Sequence, residues 1–87
     1  MSDAEAARRA LSATIRAHLA GHDPIVQGAV LADLLSMWLA GHVVEGDDKA
    51  TERLRRDLLK VHVAFVKGLI PINFKIHIEP KIKGGSP

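Results

Sequence analysis

Ile70-Pro71-Ile72-Asn73-Phe74-Lys75-Ile76-His77-Ile78-Glu79-Pro80-Lys81-Ile82-Lys83 is the stretch whose reading decides the fold. Ile70, Ile72, Phe74, Ile76, Ile78 and Ile82 alternate with Asn73, Lys75, His77, Glu79, Lys81 and Lys83, broken only by Pro71 and Pro80. Alternation with period two, rich in β-branched residues, predicts a β-strand. No second stretch of the chain reads as a strand. A lone strand cannot satisfy its own backbone N–H and C=O groups. It pairs with a copy of itself, joins the sheet of another protein, or lies as an extended arm across the helices. Self-pairing in a symmetric dimer is the simplest closed solution.

Everything upstream reads as helix. A third helix opens at Asp47-Asp48 and closes at Lys67-Gly68, with Leu69 and Pro71 behind as stop signals. Its core line is Leu54, Leu58, Val61 and Phe65, at helical spacing. A second helix starts on Asp23-Pro24, an N-cap followed by proline, and runs to Ala40 before Gly41. A first helix covers about Asp3 to Ala20, with Ala4, Ala7, Leu11, Ile15 and His18 on one face, and stops at Gly21. Leu19-Ala20-Gly21-His22 and Leu39-Ala40-Gly41-His42 are identical and read as one stop used twice. Each has a histidine where its positive form suits a helix carboxyl end.

These readings predict a mainly α protein. It is a three-helix up-down-up arrangement with one C-terminal β-strand, paired between chains of an oligomer. The three-helix domain covers residues 1–69, the strand or arm 70–83, and a flexible tail 84–87. The 87 residues carry a formal charge of only +2 and no cysteine, with 47% hydrophobic residues but just three aromatics, Trp38, Phe65 and Phe74. That length suits one small domain and leaves little room for a dinucleotide fold or a deep pocket. The lack of cysteine excludes a disulfide framework and thiolate metal sites.

The second helix is apolar over nearly its whole circumference: Ile25, Val26, Val30, Leu31, Leu34, Leu35, Met37, Trp38 and Leu39 surround a stripe of Ala29, Ala32, Asp33, Ser36 and Ala40. A sector that wide belongs to a helix buried on more than one side, and left bare it is an association site. The apolar run from Ile25 to Val44 approaches membrane-spanning length, but Asp33 at its middle argues against a bilayer. The N-terminus, with Asp3 and Glu5 early, does not read as a secretory signal. A soluble cytoplasmic chain with no membrane partner is expected.

Few constellations carry chemistry. His18 and His22 have the spacing of two helical metal ligands, with Asp23 adjacent, but Gly21 interrupts the helix between them. No metal or cofactor is expected. Ser12, Thr14 and Ser36 sit in no nucleophile elbow, and no paired carboxylates or phosphate-cradling loop are legible, so no catalytic residue is assigned. Lys49, Arg53, Arg56, Lys60 and Lys67 form a basic ridge on the third helix opposite its core line; Arg55 lies off it. Such a row suits phosphates or an acidic partner. A helix-turn-helix reading fails because the second helix has no Arg, Lys or Asn to read bases.

The expectation is a small non-catalytic protein that associates with itself. Its interface would combine Leu31, Leu34, Leu35 and Trp38 of the second helix with Ile72, Phe74, Ile76 and Ile78 of the C-terminal strand. Strand addition to another protein is the variant of this idea. The alternative is a nucleic-acid-associated accessory protein using the basic ridge.

Overall fold

A computed structural model describes residues 2–84 of the chain. Its elements are α1 (Asp3–Leu19), α2 (Pro24–Ala40), α3 (Asp48–Asn73), a π-helical turn (Phe74–Ile78) and α4 (Glu79–Gly84). The class is all-α, and no strand occurs among the described residues. The chain divides into two compact units between Ser36 and Met37, a point inside α2.

The first unit holds α1, the turn after it and most of α2. Ser2 caps α1: its Oγ accepts the Glu5 backbone N–H at 3.1 Å. The Glu5 carboxylate turns outward to Arg8 and Arg9. The Arg8 hydrogen bond, reinforced by both positive charges, lowers the pKa of Glu5 from the ordinary 4.5 to about 2. After Leu19 the chain reverses through Gly21, whose φ of 81° lies in the left-handed region. Asp23 then caps α2, its carboxylate accepting the Ile25 N–H at 2.8 Å. Gln27 reaches back to donate to the Leu19 carbonyl at 2.8 Å.

The second unit begins with the last turn of α2 and includes the rest of the described residues, through Gly84. Asp47 caps α3 by accepting the Ala50 N–H at 2.9 Å. From there α3, the π turn and α4 form one continuous helical rod of 37 residues, Asp48–Gly84, about 55 Å long at helical rise.

The rod overturns three expectations. Residues 70–83 form no strand: Ile70 to Asn73 end α3, Phe74–Ile78 is the π turn, and α4 follows. The third helix does not close at Lys67-Gly68, because neither Gly68 nor Pro71 stops it. Gly84 of the expected tail ends α4, while residues 85–87 lie outside the described residues. The physical cause lies in the missing partner. A strand needs a second strand for its ladder, and none occurs among the described residues, whereas helical bonds are satisfied locally. The alternating pattern also contains Ile70, Phe74, Ile78 and Ile82 at every fourth position, a spacing that a helix accepts as one face.

Proline's cost is absorbed along the way. Pro71 has no N–H to give the Lys67 carbonyl. The Phe74 N–H points back to the carbonyls of both Ile70 and Pro71. Glu79 N–H bonds to the Phe74 carbonyl five residues back, the π pattern. That wider turn sits immediately before Pro80, whose ring would crowd the preceding turn of a regular α-helix.

No apolar side chain is buried among the described residues; only Thr51, 7% exposed, is buried at all. The expected core line therefore does not form a core. Leu54 and Leu58 are half-buried, but Val61 and Phe65 are exposed.

Candidate association surface

The second unit is organised at the joint between α2 and α3. Thr51 stands one turn after the Asp47 cap, and its Oγ1 accepts the Val44 N–H at 2.9 Å. The same hydroxyl lies 2.9 Å from the Asp47 carbonyl and 3.2 Å from that of Val44. Burying one hydroxyl thus closes the loop over residues 41–47 onto the first turn of α3. Gly46, with φ 78°, makes the left-handed step in that loop. Arg55 crosses from α3 to the end of α2. Its Nη2 donates to the Ala40 carbonyl at 2.7 Å and its Nε to the His42 carbonyl at 3.1 Å. A guanidinium there satisfies carbonyls that a helix end leaves without partners, at its negative pole.

The rings of the joint meet at Trp38. Its indole lies 4.5 Å from the His42 imidazole, edge-on, and 4.6 Å from that of His62; His62 in turn is 6.1 Å from Phe65. Nδ1 of His42 lies 2.7 Å from the Trp38 carbonyl, and Nδ1 of His62 lies 3.1 Å from that of Leu58. Both histidines thus sit against their own helices one turn back. Reading the sequence missed this joint. Thr51 and Gly46 drew no attention and Arg55 read only as a residue off the basic ridge, although the Asp47…Thr51 spacing of four was a local signal for a hydroxyl near the cap.

The residues expected at an interface are solvent-accessible. In the first unit Leu31 and Leu34 are exposed and Leu35 is half-buried. In the second unit Trp38, Ile72, Phe74, Ile76 and Ile78 are all exposed, on a helix rather than a strand. Of these, the four in the rod split: Ile72 and Ile76 share one side, while Phe74 and Ile78 share the row of Ile70 and Ile82. The rod residues of the expected interface therefore lie on two sides of one helix rather than on one face of a strand.

The basic ridge survives as a row on α3. Lys49, Arg53, Arg56, Lys60 and Lys67 are exposed. Arg56 lies 3.9 Å from Asp57. Among the described residues the other four make no ion pair.

Groups considered for chemistry have ordinary local roles. Thr14 Oγ1 donates to the Ala10 carbonyl at 3.0 Å, and Ser36 Oγ to the Asp33 carbonyl at 2.8 Å. Among the described residues no group of three or more His, Asp or Glu converges on a point where a metal could bind. The rod Asp48–Gly84 is long and apolar enough to cross a membrane by length and composition, whereas α2 is shorter than such a span. Between Lys60 and Glu79, however, the rod carries Lys67, Lys75, His62, His77 and Asn73.

No family model, curated protein or solved structure matches this chain.

Proposed function

We propose that this chain is a small non-catalytic assembly protein whose partner is a second copy of itself. The observation that carries the reading is the absence of any buried apolar side chain among the described residues, in a sequence that is 47% hydrophobic. Burying apolar surface is the main favourable term in folding, and exposed patches of this extent mark association sites. The surfaces offered are α2, apolar all round apart from Gln27, Asp33 and Ser36, and the exposed isoleucines and phenylalanines of the rod. A mid-helix Asp33 and the lysines of the rod favour a protein partner over lipid, since such groups are costly in hydrocarbon.

Light scattering on the purified full-length chain tests the reading. A dimer or larger oligomer at micromolar concentration is expected. A monomer that stays monomeric, or one that floats with lipid vesicles, overturns it.

A second reading is favoured by the unpaired cations of the ridge. Row-like Lys and Arg on one helix face suit the phosphates of a nucleic acid, with binding that weakens as salt rises. Arg53→Glu combined with Arg56→Glu abolishes a salt-sensitive complex on this reading. No affinity for DNA or RNA at low salt removes it.

A further inference from the structure

The rod is more than twice as long as either of the other two long helices, so neither can cover it whole. α1 and α2 have 17 residues each, about 25 Å at helical rise, against about 55 Å for the rod. Laid anywhere along it, either helix leaves about half of it bare.

One row on the last half of the rod is unusually straight. Ile70, Phe74, Ile78 and Ile82 recur at every fourth residue and are all exposed. In a regular α-helix, residues four apart drift sideways by about 40° per step. The π turn at Phe74–Ile78 takes more residues per turn and reverses that drift midway. The four side chains therefore stay in line, with Val63 continuing the row toward the N-terminus. Two opposite charges border it. Lys67 stands three residues before Ile70, and Glu79 three before Ile82, so both lie on the same flank. They are also equidistant from Asn73, six residues to either side. Glu79 is half-buried, with its carboxylate 2.6 Å from the Lys83 ammonium.

We infer that two copies of this chain pair antiparallel along the row Ile70, Phe74, Ile78 and Ile82, with Lys67 of each copy level with Glu79 of the other. The inference deepens the self-association reading and rests on it. A two-fold axis across two antiparallel rods at Asn73 brings like flank to like flank, which makes two Lys67–Glu79 pairs between copies. Parallel copies would keep each Lys67 and Glu79 on opposite flanks of the seam and level with its own counterpart, so no Lys67–Glu79 pair would form. Within one chain the two residues are 12 positions apart on a continuous helix, about 18 Å along its axis, and cannot meet. Charge complementarity thus selects both the occupant and its direction.

The test uses the full-length chain and its charge-reversed variants, read by sedimentation. Lys67→Glu alone and Glu79→Lys alone each weaken association, by roughly tenfold in Kd for two pairs turned from attraction to repulsion. Mixing the two single variants restores it, because every contact between unlike copies is again Glu to Lys. The chain has no cysteine, so orientation is read independently by oxidation: Phe74→Cys, next to the two-fold axis, crosslinks to itself, while Val63→Cys does not. Equal crosslinking at both positions means parallel rods and overturns the inference. So does a wild-type oligomer whose stability ignores Lys67→Glu, or mixed variants that stay apart; in these cases self-association itself stands. A wild-type chain that is monomeric overturns both readings.

Discussion

Leu19-Ala20-Gly21-His22 and Leu39-Ala40-Gly41-His42 are the same four residues at the ends of two helices of equal length, yet the chain leaves them differently. In the first, Ala20 N–H closes on the Arg16 carbonyl at 3.0 Å and Gly21 turns left-handed at once. The next helix is capped two residues later by Asp23. In the second, the helix runs one residue further, Gly41 N–H bonds to the Met37 carbonyl at 3.1 Å, and Gly41 keeps ordinary φ. The left-handed step waits until Gly46. What separates the copies lies outside the repeated residues. Thr51 and Arg55, ten and fourteen residues beyond Gly41, hold the second exit from the following helix. The first exit has Gln27, six residues beyond Gly21, on the Leu19 carbonyl. A shared tetrapeptide ends a helix; the path afterwards belongs to whatever bonds the freed backbone.

The sharpest way to break the second exit is Thr51→Val, which keeps the shape but removes the buried hydroxyl. The Val44 N–H then has no partner, at a cost of about 1–3 kcal/mol. Faster amide exchange at Val44, with α1 exchange unchanged, is the expected result. Arg55→Ala comes next. It strips two carbonyls at the end of α2, but in a solvent-accessible place, so about 1–2 kcal/mol is expected. Its signature is loosened exchange over residues 40–47.

A matched pair sharpens the contrast between the copies directly. Gly21→Ala forces a side chain into the left-handed region and destabilises by about 1 kcal/mol, although space around it is open. Gly41→Ala meets only ordinary contacts, 3.5 Å from the Trp38 carbonyl and 3.7 Å from that of Met37, at ordinary φ. It leaves thermal stability unchanged or slightly raised. Equal losses at both glycines would mean that the two stops are the same after all.

The smallest effect is expected at the start of α1. Because the folded pKa of Glu5 is lowered from 4.5 to about 2, the pairing with Arg8 and Arg9 contributes fully above about pH 4.5. It is lost as pH falls toward 2. Far-ultraviolet circular dichroism should show the wild type losing α1 helicity over that window and Glu5→Gln lacking the transition.

Helix starts were legible because a cap acts within three residues of itself. Asp23-Pro24 and Asp47-Asp48 announce α2 and α3, and both helices begin there. The basic ridge was legible for a similar reason, since spacing alone puts Lys49, Arg53, Arg56, Lys60 and Lys67 on one face. The joint was not. Arg55 read as a stray from that ridge, and only the chain path shows it reaching Ala40 and His42 across 13 to 15 positions.

The sequence by itself determined where α1 and α2 begin and end, where α3 begins, which face of α3 is charged, and how apolar α2 is, because each depends on neighbours within a turn or two. Only the tertiary structure decided the state of residues 70–83 and the closing of the second exit. The alternating isoleucines satisfy a strand and a four-residue helical row alike. Which one forms depends on whether a second strand exists to receive the backbone bonds, and here the rod supplies them to itself.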